Sequence, residues 1–117
     1  MQKFQFQKEY TFEQRLATAT EILAKYNDKI PIIIQLSSHA KTTLHKYKFL
    51  VPKHHNLSHF VSDLRKYMSI KSDQGIYLIL ETGISPCMTD VVEILYDKYK
   101  NIDGFLYITY YEESIFG

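Results

Sequence analysis

The sequence predicts an α+β domain, a small sheet with helices packed on it. Three observations predict this. Three amphipathic stripes at helical spacing alternate with four short runs rich in β-branched and aromatic residues. The first two runs follow one another across a polar stretch, as an antiparallel pair does, and helical segments separate the later ones. The chain has 117 residues, 45% hydrophobic and 23% charged, which is enough for one core and leaves little room for two.

Thr11-Phe12-Glu13-Gln14 reads as a capping box ahead of a stripe of Phe12, Leu16, Ala19, Leu23 and Tyr26, with Ile22 beside it. The preceding Lys3–Tyr10 segment can form a short helix of its own, and Asn27-Asp28 closes the longer one by turn chemistry. Ile30–Leu36 is a strand, apolar on both faces at its centre. Pro31 donates no ladder hydrogen bond and belongs at a strand start or an unpaired position. After the polar stretch Ser37–His45, Lys46–Pro52 is the second strand. Leu57, Phe60, Val61, Leu64, Tyr67 and Met68 fall on one helical face. Ile76–Leu80 is a third strand, punctuated by Gly75 and Gly83. Thr89 is placed to cap a helix carrying Val92, Leu95, Tyr96 and Tyr99, and Phe105–Tyr111 is the fourth strand. The expected order is αα-ββ-α-β-α-β in a two-layer plan, one domain over 1–117 with a helical extension at 1–27 and the core and tail at 28–117.

No apolar run approaches the roughly 18 residues of a membrane span, and the start is not that of a signal peptide. A lone cysteine argues for a reducing, intracellular compartment. The formal charge of +1 conceals a strong asymmetry. Residues 29–71 hold eight Lys/Arg, one acid (Asp63) and all five histidines, whereas residues 72–117 hold two Lys against eight Asp/Glu. Such a basic middle presents a basic face to something acidic.

Candidates for chemistry are few. Cys87 could pair with a histidine as a nucleophile, but no signature surrounds it and Pro86 suggests a loop; a small, packed or loop cysteine is favoured. His55 and His59, four apart and next to His54, could hold a metal, yet no carboxylate or thiolate lies nearby in sequence, and solvated histidines are favoured. Lys46 and Lys48 alternate with Tyr47 and Phe49, a pattern found where single strands of nucleic acid bind, but there is no RNP motif and the pI of 7.8 is too low. A peptide with acidic flanks, added as an extra strand to a sheet edge, is the better partner. With no phosphate loop, no carboxylate pair and no cofactor signature, a binding module is favoured over an enzyme.

Spread along the whole chain are Lys3-Phe4, Phe12-Glu13 with Arg15, Lys25-Tyr26, Asp28-Lys29-Ile30-Pro31-Ile32-Ile33, Lys48-Phe49-Leu50-Val51-Pro52, Phe60 with Leu64-Arg65-Lys66, Leu95-Tyr96, Phe105–Ile108 and the ending Glu113-Ser114-Ile115-Phe116-Gly117. Together they resemble the ubiquitin-like autophagy modifiers, the family of yeast autophagy-related protein 8 and mammalian GABA-receptor-associated protein. The resemblance implies a β-grasp fold, a four-stranded mixed sheet with two extra N-terminal helices, and no enzymatic activity or cofactor. It also implies that Gly117 is the reactive end, activated by an E1-like enzyme, passed to an E2-like enzyme and joined to phosphatidylethanolamine. Phe116 would serve recognition of the tail. Glycine suits this role because a thin tail without Cβ atoms can enter a narrow active site. A dedicated cysteine protease would process precursors and reverse conjugation. The ending at Gly117 leaves open whether the chain is encoded so or is a processed form.

The resemblance further implies binding of aromatic-x-x-aliphatic receptor motifs along the second strand. An aromatic pocket would use Ile22, Pro31, Ile33, Lys48, Leu50 and Phe105. An aliphatic pocket would use Phe49, Val51, Pro52 and Phe60, Leu64 would also serve motif binding, and Lys29, Lys46, Lys48 and Arg65 would meet acidic flanks. Where the family has apolar side chains in the second pocket this chain has His55 and Asp63, so a shallower or more polar pocket is expected. A deletion near Ser38 and an insertion near Ser72 shift the register by one. The expected locations are cytoplasm and, after conjugation, the autophagosomal membrane. The alternatives are an unconjugated peptide-binding adaptor and a Cys87-dependent hydrolase.

Overall fold

The computed structural model describes residues 4–69 and 74–114. Its elements follow the expected order: α1 (Gln5–Glu9), α2 (Phe12–Lys25), β1 (Lys29–Leu36), β2 (Lys48–Pro52), α3 (Leu57–Leu64), β3 (Gln74–Leu80), α4 (Val92–Tyr99) and β4 (Leu106–Ser114). Lys3, Ile115, Phe116, Gly117 and the register shift near Ser72 lie outside the described residues.

Local chemistry sets most of the boundaries. At α2 the Gln14 N–H donates to Thr11 Oγ1 at 3.1 Å and the Thr11 N–H to Gln14 Oε1 at 2.8 Å, closing the expected capping box. Asn56 caps α3 in the same reciprocal way, with His59 in the place of the usual Glu or Gln. The face expected to run on to Tyr67 and Met68 instead ends at Leu64, and Arg65–Tyr67 tighten into a 3-10 turn. Thr89 does not cap α4, whose N-cap is Val91 with no side-chain bond. Two of its orphan N–H groups are met across the fold: Val92 donates to the His55 carbonyl at 2.8 Å and Glu93 to the Lys53 carbonyl at 3.1 Å. A tertiary partner thus replaces the local cap that Thr89 offered.

The four strands form one mixed sheet in the order β2-β1-β4-β3, with β1–β2 and β3–β4 antiparallel and β1–β4 parallel. Ile34 donates to the Tyr47 carbonyl and Lys53 to the Asp28 carbonyl, so even-numbered residues of β1 bond to β2 and odd-numbered ones face β4. Pro31 therefore lacks its N–H on the β4 side, one residue before that pairing begins at Ile32 and Leu106. A proline is tolerated in a central strand for this reason.

The sheet is covered on both faces where β1 and β4 lie, so the molecule has three layers rather than the expected two. Ile30, Ile32, Ile34, Leu106, Ile108 and Tyr110 pack with α3 and α4. Ile33, Phe105 and Tyr107 point the other way and pack with Phe4, Phe6 and Ala19 of the N-terminal segment, with Ile22 against them. An apolar strand with both faces buried demands a second cover, and the helical extension supplies it.

Candidate functional site

β2 is an edge strand. Because Tyr47, Phe49, Val51 and Lys53 spend their backbone groups on β1, the alternation turns those of Lys48 and Leu50 outward. The strand thus offers two N–H donors and their carbonyls to an added chain, and Pro52, with no N–H, ends the donor row.

The residues expected to build the aromatic pocket share the N-terminal-helix face of the sheet. Ile33 and Phe105 are fully buried floor residues of that cluster, Ile22 and Leu50 are half-buried, Pro31 is buried and Lys48 is exposed. The residues expected for the aliphatic pocket lie on the opposite face: the Phe49 and Phe60 rings meet edge-to-face at 5.6 Å, with Val51 and Leu64 buried in the same cluster. Strand alternation sets Pro52 with Leu50 rather than with Phe49 and Val51. The two groups are thus separated by the strand itself.

The cations distribute unevenly. Lys29 is half-buried opposite Pro52, and Lys48 is free to reach solvent. Lys46 is engaged by aromatic faces, its Nζ 4.8 Å from the Phe49 ring centroid and 5.0 Å from that of Tyr67. Arg65 is exposed after α3 and lines a cleft with Ser58, Val61, Ser62, Ile76 and Met88, none of them from β2. Tyr67, expected on the helical face with Phe60 and Leu64, is carried by the 3-10 turn to the surface beside Lys46.

Of the departures from the family pattern, His55 precedes α3 and Asp63 lies within it, next to Leu64. The His55 ring lies 4.8 Å from that of His59, and its Nδ1 is buried without a hydrogen-bond partner. His59 Nδ1 accepts from the Asn56 N–H, so this histidine is a capping residue. Asp63 makes a loose pair with Lys66 at 3.4 Å. Among the described residues no group of three His, Cys, Asp or Glu side chains has metal-holding geometry. Cys87 is exposed in the loop before α4, its N–H bonded to Asp90 Oδ2 at 2.9 Å. Among the described residues no helix is long and apolar enough to cross a membrane.

Sequence reasoning missed one buried polar centre. Asp103 is fully buried and accepts from Arg15 Nη1 at 2.7 Å, from the Tyr107 hydroxyl, and through Oδ1 from the Phe105 N–H at 2.9 Å. Burial and the bond to Asp103 hold the Tyr107 hydroxyl proton far above the ordinary tyrosine range. Arg15 and Asp103 are 88 positions apart, and no local pattern pairs them. Their bond ties α2 to the loop before β4, beneath the face that holds Ile33 and Phe105.

Comparison with known proteins identifies the family. The profile of the family described as "Autophagy protein Atg8 ubiquitin like" matches residues 14–117. The autophagy-related protein 8 of Cochliobolus heterostrophus is 35% identical over 113 residues, 96% of this chain and 94% of the relative. That of Dictyostelium discoideum is 35% identical over 114 residues, 96% and 93% of the two chains. The crystal structure of Trypanosoma brucei ATG8 superposes with a TM-score of 0.89 at 29% identity, over 99% of this chain and all of that one (100%). Plasmodium falciparum Atg8, in complex with a Plasmodium falciparum Atg3 peptide, gives 0.80 at 28% identity over 92% and 95% of the two chains. The sheet order, the second cover on its far face and these likenesses agree: the chain belongs to the Atg8 family of ubiquitin-like autophagy proteins.

Proposed function

We propose that this protein is a non-enzymatic modifier joined through Gly117 to the amine of phosphatidylethanolamine, and that on the membrane it recruits receptors through the β2 edge. E1-like and E2-like enzymes would activate and transfer the Gly117 carboxylate with ATP, Phe116 would guide the tail, and a cysteine protease would process and release it. The protein would divide between cytoplasm and autophagosomal membrane. Family membership over most of the chain, with the ending Glu113-Ser114-Ile115-Phe116-Gly117, carries this reading. Reconstitution tests it: the chain ending at Gly117, its cognate E1-like and E2-like enzymes, ATP and phosphatidylethanolamine liposomes are expected to yield a lipidated species that Gly117→Ala abolishes. No adduct from the native chain would contradict it and favour the unconjugated peptide-binding adaptor.

The receptor arm is supported by the outward N–H groups of Lys48 and Leu50 and by the lysines that flank them. The aromatic side chain of an aromatic-x-x-aliphatic motif would enter between α2 and β2, over Ile22, Ile33, Leu50 and Phe105. The aliphatic one would rest over Phe49, Val51, Phe60 and Leu64. Acidic flanks would meet Lys29, Lys46, Lys48 and Arg65. That Plasmodium falciparum Atg8 forms a complex with an Atg3 peptide supports peptide binding by a protein of this fold.

A further inference from the structure

A cleft of about 310 Å³ lies beyond the N-terminal end of β2, between α1 and the end of β1. Its wall is apolar, built from Phe6, Ile33, Leu36, Leu44 and Tyr47, and its one ionisable carboxylate is Glu9; no Lys or Arg lines it. None of the pocket residues assigned above except Ile33 belongs to it, so it is a separate feature from the receptor edge.

The cleft is built in advance of any ligand. The Gln5 N–H donates to Gln35 Oε1 at 2.6 Å, fastening the start of α1 to β1. Phe6, the floor, meets Phe105 edge-to-face at 5.1 Å and is held in the inner cluster. Tyr47, which lines the cleft, is nevertheless 45% exposed, and Tyr10, outside the lining, is 41% exposed; the Phe6 ring lies 5.9 Å and 5.1 Å from their rings. Two partly exposed aromatic side chains thus neighbour the apolar floor. Glu9 also lines the cleft: its Oε1 accepts from Gln5 Nε2 at 3.1 Å, and among the described residues it enters no ion pair. Its charge reaches Tyr47, whose hydroxyl is held above the ordinary tyrosine range first by burial, then by Tyr10 and Glu9.

Apolar walls, open aromatic rings and one carboxylate complement an apolar side chain next to a cation. We propose that this cleft binds a segment of a partner protein in which a leucine-sized apolar residue adjoins a lysine or arginine. The apolar residue packs on Phe6, Leu36 and Leu44, and the cation lies between Glu9 and the faces of Tyr10 and Tyr47. The charge preference is opposite to that of the lysine-flanked β2 edge, so the two surfaces select different sequences. This inference does not depend on the receptor reading.

The test is a set of blocked tripeptides titrated into the isotope-labelled full chain and followed by amide NMR shifts: acetyl-Leu-Arg-Leu-amide, acetyl-Leu-Glu-Leu-amide and acetyl-Gly-Arg-Gly-amide. The first is expected to shift Gln5, Glu9, Leu44 and Tyr47 and to bind roughly fivefold tighter than the second, the size of one partly exposed charge contact. Glu9→Gln should narrow the difference, leaving the part owed to the tyrosine rings, and Glu9→Lys should narrow it further or reverse it, with the spectrum otherwise that of the folded protein. Equal binding of the glycine peptide, equal binding of the glutamate peptide, shifts confined to Lys48–Pro52, or no shifts at all would each overturn the proposal.

Discussion

At Gly104 the backbone φ is +94° and an added Cβ would stand 2.8 Å from the Cβ of Ala19. Backbone strain and a clash with α2 therefore coincide, and Gly104→Ala is expected to cost about 2 kcal/mol, read as a lower midpoint in urea. Arg15→Ala leaves the buried Asp103 carboxylate without its cation; the expected loss is about 3 kcal/mol, with faster amide exchange in α2. Tyr110 behaves differently. Its hydroxyl is buried without a partner, and burial, with the charge of Glu112 and against that of Arg65, pushes its pKa up to about 12 from 10.0. The folded protein keeps this proton where the unfolded chain has lost it, so the contribution is intact below pH 10 and disappears as the pH rises to about 12. Tyr110→Phe is expected to be neutral or stabilising by up to about 1 kcal/mol at pH 7 and to flatten the alkaline decline, measured by urea titrations across that range.

Among the elements, β2 carries the function proposed and α3 tunes it. The strands were legible because their β-branched and aromatic runs are short and bounded by turn residues, and α2 because Thr11 and Gln14 cap it locally. The start of α4 was not: Val92 and Glu93 find their acceptors in the carbonyls of His55 and Lys53, a partnership across nearly forty residues that no local window contains. The second pocket shows the same limit. The resemblance sets Phe49 and Phe60 in one pocket, but the surface position of Tyr67 depends on how the 3-10 turn closes α3, and the unpartnered Nδ1 of His55 lies at the other end of that helix. Asp63, half-buried next to Leu64 of this group, should penalise an aliphatic side chain there. Asp63→Leu is accordingly expected to tighten ordinary aromatic-x-x-aliphatic peptides several-fold in calorimetric titrations, and unchanged affinity would remove the idea of a more polar pocket.

Across the whole molecule, the pattern of charge along the chain was readable and its placement only in part. The basic block does surround β2, yet the fold gives its members different tasks: Lys48 faces solvent, Lys46 lies against the rings of Phe49 and Tyr67, and Arg65 borders another cleft. The acidic block includes Asp103, which is no surface charge but the buried anchor of the N-terminal layer. The third layer itself was implicit in a strand apolar on both faces. A basic edge that takes acidic-flanked peptides must weaken with salt, since surface charges are screened beyond about 8 Å at physiological ionic strength. The most direct measurement is a titration of the full chain with an acidic-flanked aromatic-x-x-aliphatic peptide, followed by amide hydrogen exchange at low and high salt. New protection is expected at the outward amides of Lys48 and Leu50, little change at the already paired Phe49 and Val51, and weaker binding as salt rises. Binding that leaves Lys48 and Leu50 unprotected, or that ignores salt, would contradict the proposed strand addition.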